Sequence, residues 1–134
     1  MTLAPSELDA RQEDIDAVTK ATLDYLLGYV EGDPDRHAEA YHPEALKRHY
    51  LTNESGVEVL RTITPQMMVD WTATGVTRTD DTEYEIEIDD ITEGMASVRL
   101  YSSKWIDFLH IVEARGEWRI LHVTWKRQPG KDAT

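Results

Sequence analysis

The sequence contains no cysteine among its 134 residues. A disulfide framework, a thiol nucleophile and a zinc–thiolate site are therefore excluded. Disulfides belong to oxidising compartments, so their absence is compatible with the cytoplasmic location that we expect. No apolar run approaches the roughly 20 residues that a membrane-spanning helix needs, and the first residues do not read as a secretory signal. We therefore expect no membrane association.

Basic residues are scarce relative to acidic ones. Lys and Arg number 14 and Asp and Glu 26, so the formal net charge is -12, with a pI near 4.7. Such a surface repels phosphate backbones, and we expect no nucleic-acid partner. The sequence also lacks a glycine-rich phosphate loop and a serine-centred nucleophile elbow.

The remaining composition is that of a globular protein. Hydrophobic residues make up 40% of the chain and charged residues 30%. A chain of this length buries roughly two-thirds of its unfolded surface, which is enough for one core. We predict a single domain over residues 1–134, with an ordered core at about 13–127.

The first half has helical periodicity. Apolar residues recur at three- and four-residue steps and predict an amphipathic helix over 13–31 that ends at Gly32. Asp33-Pro34 then predicts a short second helix running to about Tyr41, and Thr64-Pro65 predicts a third, closed by Gly75.

The second half alternates with the period of two that is typical of strands. Glu93-Gly94 and Arg115-Gly116 predict two tight turns. The predicted strands are Tyr84 to Asp89, Met95 to Ser103, Trp105 to Ala114 and Glu117 to Lys126, with shorter ones at Ala45 to Leu51 and Val57 to Leu60. Helices gathered on one face of an antiparallel sheet indicate an α+β domain.

Three segments carry a family resemblance: residues 29–33, 41–45, and 105–109 with 116–120. In this order and spacing, the chain resembles the nuclear transport factor 2-like (NTF2-like) superfamily, in its SnoaL-like or "putative lumazine-binding" branch. The resemblance implies a cystatin-like cone, in which three N-terminal helices pack on a curved antiparallel sheet of mainly four to six strands. It also implies an internal pocket and a homodimer formed through the outer face of the sheet.

The last hairpin suggests a candidate acid–base pair. If Ala114 and Glu117 flank a two-residue turn, Asp107 lies opposite Thr124, with His122 as a diagonal neighbour on the same face. An Asp–His pair can orient the imidazole and raise its basicity, as a general base requires. The alternative is a buried structural pair. We predict Asp107 and His122 as catalytic residues on this register.

Further candidates would line the pocket. Tyr25 and Tyr29 lie one turn apart on the first helix, and in the ketosteroid isomerases of the superfamily a helix tyrosine helps to hold an oxyanion. In related sequences the turn at His42 lines the mouth of the pocket. We predict ligand contacts at Tyr25, Tyr29, His42, His49, Trp71, Trp105 and Thr124. Packing in the core is the alternative for the aromatic residues. His37 reads as a surface residue.

No histidine spacing typical of a metal site occurs, so we predict neither a metal nor a cofactor. We expect a pocket protein that takes a small apolar or aromatic ligand. The candidate activity is acid–base isomerisation, dehydration or cyclisation of a mostly apolar carbonyl compound. The alternatives are a non-catalytic ligand-binding domain and a dimeric interaction module.

Overall fold

The computed structural model describes residues 4–129 of the chain. Within that range, three helices and six strands follow one another. Their order is α1 (Pro5–Glu31), α2 (Pro34–Glu39), β1 (Tyr41–Thr52), β2 (Glu58–Ile63), α3 (Pro65–Ala73), β3 (Tyr84–Thr92), β4 (Met95–Ser102), β5 (Trp105–Ala114) and β6 (Glu117–Arg127). The predicted α+β class is confirmed.

The predicted starts of α2 and α3 are confirmed by their caps. The Asp33 carboxylate accepts a hydrogen bond from the backbone N–H of Arg36 at 3.1 Å, and Pro34 follows at the first helical position. At α3, the Thr64 hydroxyl accepts from the backbone N–H of Met67 at 3.1 Å. Helix α1 ends where Gly32 adopts φ 70°, a left-handed conformation that glycine tolerates without strain.

Helix α1 is longer than predicted, because it begins at Pro5 instead of residue 13. Its described side chains before residue 14 are exposed, so this part carries no apolar periodicity that would reveal it. The start signal is the proline at the first helical position.

The six strands form one sheet in the order β2-β1-β6-β5-β4-β3. Four neighbouring pairs are antiparallel, as predicted. The prediction is wrong for the fifth pair, since β1 and β6 run parallel and the sheet is mixed. A hairpin can join only antiparallel neighbours, and β1 and β6 lie far apart in sequence, so no turn signal marks this parallel pair.

Strand β1 also begins earlier than predicted, at Tyr41. The turn expected at His42 is therefore extended chain, and α2 ends before it, at Glu39. Pairing with β6 shifts register between Tyr41 and Leu46, so the strand is irregular around Pro43. Proline has no N–H to donate to the ladder, which explains an irregularity at this point.

The turn between β5 and β6 is confirmed, and it is followed by a β-bulge. Arg115 and Gly116 both have positive φ, at 55° and 80°, as a two-residue hairpin turn requires. Ala114 faces Glu117 and Ile111 faces Ile120, in the predicted register. The register then shifts, so that His110 faces His122 and Asp107 faces Trp125.

This bulge overturns the predicted grouping of side chains. One extra residue, Leu121, reverses the facing of every later residue of β6 relative to β5. Asp107 lies on the buried face of the sheet, whereas His122 and Thr124 are exposed on the other. We call the buried face, which α1 covers, the inner face, and the opposite one the outer face.

Candidate functional site

A cavity of about 150 Å³ lies between the helices and the inner face of the sheet. Helices α1 and α3 and every strand except β3 contribute side chains to its wall. We call it the cone cavity; its lining consists of Tyr25, Leu26, Tyr29, Lys47, Arg61, Ile63, Met68, Trp71, Leu100, Ser102, Trp105, Asp107 and Trp125.

Three polar side chains meet in the wall of the cavity. The Tyr25 hydroxyl donates a hydrogen bond to Oδ2 of Asp107 at 2.6 Å, and Nζ of Lys47 donates to the Tyr25 oxygen. Lys47 Nζ lies 3.9 Å from the same Asp107 oxygen. The result is a chain of hydrogen bonds from ammonium through hydroxyl to carboxylate. We call these three residues the Lys47–Tyr25–Asp107 cluster.

Burial sets the electrostatics of this cluster. Lys47 is 7% exposed and Asp107 6%. Removal from water raises the pKa of Asp107, while the Lys47 charge and the Tyr25 hydrogen bond oppose that rise. Burial also lowers the pKa of Lys47, against the attraction of Asp107. The pKa of Tyr25 lies well above its usual value because of burial and the Asp107 charge, so its hydroxyl stays protonated and able to donate.

His37 contacts Tyr25 of this cluster but does not itself line the cavity. It is fully buried, so the predicted surface position is wrong. Its Nδ1 lies 2.7 Å from the backbone oxygen of Tyr25, and its Nε2 lies 2.9 Å from the Tyr41 hydroxyl. Burial lowers the pKa of His37 to about 4, so the ring is neutral near pH 7. Nδ1–H then donates to the Tyr25 carbonyl, and Nε2 accepts from Tyr41.

His37 is buried because α2 packs closely on α1. A Cβ built at Gly28 would lie only 2.6 Å from the backbone nitrogen of His37, so only glycine permits this approach. The six-residue helix α2 is too short for a periodicity that would show which side faces inward.

A second cation, Arg61, reaches the cavity from β2. Its Nε donates to Nε2 of His49 at 3.0 Å, and its guanidinium carbon lies 5.7 Å from the centre of the Trp125 ring. The His49 ring stacks on Trp125 with 3.6 Å between centroids. Because burial and the Arg61 charge lower the pKa of His49, this ring is neutral and its Nε2 is free to accept.

The structure brings together five of the nine predicted site residues. Asp107, Tyr25, Tyr29, Trp71 and Trp105 all line the cone cavity. His122, Thr124, His42 and His49 do not line it. The first two are on the outer face, and His42 accepts a hydrogen bond at Nδ1 from the backbone N–H of Glu44 at 3.0 Å.

The predicted Asp107–His122 pair is not formed, because the bulge at Leu121 turns His122 outward. His122 instead neighbours His110, with 3.5 Å between their Nδ1 atoms. The partner of Asp107 is the Lys47–Tyr25 pair, which comes from α1 and β1.

Sequence reasoning missed Lys47 and Arg61 as residues of the cavity wall. A signal existed for Lys47, because it lies two residues after Ala45 on a predicted strand and therefore on the same face of that strand. The structure shows that both side chains are buried. A lysine on the inner side of a strand is rare unless it is paired. For Arg61 no such signal exists, because it lies beyond the predicted end of the second short strand.

Among residues 4–129, no group of three or more metal-ligating side chains comes together. In the same range, no helix is long and apolar enough to cross a bilayer.

The long helix laid across a curved six-stranded sheet, with a cavity between them, is the NTF2-like or cystatin-like fold, and solved structures share it. An NTF2-like protein of unknown function from Shewanella baltica OS155 is 18% identical, with a TM-score of 0.70 over 88% of this chain and 96% of that one. The fold class predicted from the sequence is thereby confirmed.

Two further structures share the fold and have names that refer to enzymes. One is called a putative scytalone dehydratase, from Novosphingobium aromaticivorans (16% identity, TM-score 0.61, 90% of this chain and 88% of that one). The other is a ketosteroid isomerase-like protein from Erwinia carotovora atroseptica (13% identity, TM-score 0.60, 86% and 96%). At these identities the likeness is one of fold.

Residues 13–126 match the family model described as "Putative lumazine-binding", and the chain belongs to this family. No curated protein matches the sequence.

Proposed function

We propose that this protein is a cofactor-independent acid–base enzyme of the isomerase, dehydratase or cyclase type, acting on a small, mostly apolar carbonyl compound in the cone cavity. The observation that carries the proposal is Asp107, a buried carboxylate in the cavity wall that is held by a hydroxyl and an ammonium group. Neutral tyrosine and tryptophan side chains make up much of the remaining wall.

Asp107 would act as the base. Its contacts with Tyr25 and Lys47 both use Oδ2, so we assign the proton transfer to Oδ1. A carboxylate is normally a weak base, but burial raises the pKa of Asp107 towards the range that favours proton abstraction near neutral pH. The fixed hydrogen bond from Tyr25 keeps the carboxylate in one orientation, which reduces the reorganisation needed in the transition state.

Tyr29 would polarise the carbonyl. Tyr25 already donates its only hydroxyl proton to Asp107, so its role is positioning. Tyr29 lies one helical turn further along α1 and lines the same cavity. Burial and the Asp107 charge raise the pKa of Tyr29, which keeps it a proton donor. A hydrogen-bond donor stabilises a developing oxyanion most strongly where little water competes for it, as in this partly enclosed cavity.

The second candidate function is binding without turnover. The observation that favours it is the aromatic wall formed by Trp71, Trp105 and Trp125, which would retain a flat ligand by stacking. The fold shared with structures named for a dehydratase and a ketosteroid isomerase favours the enzyme. The two functions can be distinguished by proton transfer, because only the enzyme would remove a proton from the bound ligand.

Deuterium exchange tests the proposal directly. We expect the wild-type protein to accelerate exchange of hydrogens next to the carbonyl of cyclohexanone, 2-cyclohexenone or acetophenone in D₂O, followed by proton NMR. Asp107→Asn should abolish the acceleration. Asp90→Asn, which changes an exposed aspartate on β3, should leave it unchanged. If no probe exchanges faster with wild type than with Asp107→Asn, the base assignment is wrong.

We also propose that the chain forms a homodimer through the outer face. Three large apolar side chains on that side, Phe108, Tyr50 and Leu60, are more than half exposed. Exposed apolar groups of this size favour association. Sedimentation velocity should show a dimer, and Phe108→Glu should shift it to monomer. A monomeric wild type would contradict the proposal.

A further inference from the structure

We propose that Arg61 forms an anion subsite at the rim of the cone cavity, and that the ligand is a small compound with a carboxylate. The inference rests on the proposed function in one respect, namely that the cone cavity is the ligand site. It adds the class of ligand, which neither the fold nor the family description specifies.

The charges in the cavity wall differ from those of the whole chain. The chain has a formal net charge of -12, yet the charged groups in the wall are two cations, Lys47 and Arg61, and one carboxylate, Asp107. Lys47 is the partner of Asp107, at 3.9 Å. Within residues 4–129, no carboxylate oxygen lies within 4.0 Å of Arg61. Its charge is therefore available to a ligand.

Arg61 is held in place without being neutralised. The bond from Nε to neutral His49 anchors the guanidinium at one edge, and Trp125 flanks it. This bond uses only Nε, so the two terminal nitrogens can still donate to a carboxylate. Arg36, Arg99 and Arg119, by contrast, each contact a carboxylate.

The position of Arg61 determines how the ligand is oriented in the cavity. Arg61 is exposed, whereas Lys47 and Asp107 are buried, so the anionic end of the ligand lies at the rim and its apolar part enters the cavity. About 150 Å³ is well below the 300–1,000 Å³ typical of drug-sized sites, so the enclosed part is about the size of one ring.

Binding of benzoate and its neutral analogue benzamide tests the inference. We expect wild type to bind benzoate about fivefold more tightly than benzamide, as measured by quenching of tryptophan fluorescence or by calorimetry. Arg61→Gln should remove this preference while retaining the binding of benzamide. Higher ionic strength should reduce the preference in wild type, because Arg61 is exposed.

Arg48→Gln is the matched control, since Arg48 is an exposed arginine of the neighbouring strand β1 and lies on the outer face, beside Tyr50 and Phe108. It should retain the preference. If wild type binds both compounds equally, or if Arg61→Gln still prefers benzoate, the anion subsite is wrong while the cone cavity stands as a ligand site. If neither compound binds, the cone cavity is not a ligand site for small ring compounds, and both the subsite and the proposed function fall.

Discussion

Tyr25 donates a hydrogen bond to Asp107 across 82 residues of sequence, and it accepts one from Lys47. The hydroxyl thereby joins a buried ammonium to a buried carboxylate that are 3.9 Å apart at their nearest atoms. Because each group is nearly inaccessible to water, each depends on the other two for its polar partners.

Tyr25→Phe should lower the free energy of unfolding by about 1–3 kcal/mol, because it removes the partner shared by Lys47 and Asp107. Urea denaturation measures the change. Tyr29→Phe, one turn away on the same helix, is the control and should have the smaller effect, since Tyr29 is only partly buried. Equal effects would show that the cluster is not the source of the stability.

Lys47→Met should cost about 3–5 kcal/mol, because it leaves the Asp107 carboxylate buried without its cation. Adding Asp107→Asn should restore part of that loss, so the double variant should be more stable than the sum of the two single effects predicts. Lys20→Met breaks an ion pair in which the lysine is largely exposed, and it should cost much less. Strict additivity of Lys47→Met and Asp107→Asn would contradict the coupling.

Stability should fall as the pH is lowered below about 6.5 because of His37. In the folded protein its pKa is about 4, below the 6.5 of an unperturbed histidine, so between these values the unfolded chain binds more protons. The contribution is fully present above pH 6.5 and is lost as the pH falls to about 4. It amounts to about 3 kcal/mol.

Urea unfolding of wild type and His37→Gln across this pH range isolates that contribution. The difference between the two proteins should shrink as the pH falls. A constant difference would mean that His37 is not held neutral in the folded state.

Gly28→Ala should destabilise the protein, although alanine is about 1 kcal/mol more favourable than glycine inside a helix. The added Cβ would lie 2.6 Å from the backbone nitrogen of His37 and would force α2 away from α1. We expect a net loss of about 1–3 kcal/mol in thermal or urea unfolding. A gain in stability would falsify the close packing of the two helices.

Local signals account for most of what the sequence predicted correctly. Asp33-Pro34 and Thr64-Pro65 predicted two helix starts because the cap and the proline act within one turn. Two turns were predicted from Glu93-Gly94 and Arg115-Gly116, because glycine readily adopts the positive φ that these two-residue hairpin turns have.

Non-local features were beyond the sequence. The bulge at Leu121 changes no local preference, yet it decides which residues of β6 share a face with Asp107. It turned the predicted partner, His122, to the outer face. Likewise, Tyr25, Lys47 and Asp107 meet only because α1, β1 and β5 pack together, and the parallel pairing of β1 with β6 has no turn to reveal it. The five predicted residues that line the cavity were proposed from helical facing, strand alternation and the family resemblance.

If the cone cavity binds the ligand, the four tryptophans of the chain report the binding directly. Trp71, Trp105 and Trp125 line the cavity, whereas Trp118 does not. With indole nitrogens labelled with ¹⁵N, titration with cyclohexanone should shift the indole signals of the first three along saturating curves with one dissociation constant. The Trp118 signal should stay in place. Shifts of equal size at Trp118, or no shift at the three cavity tryptophans, would contradict ligand binding in the cone cavity.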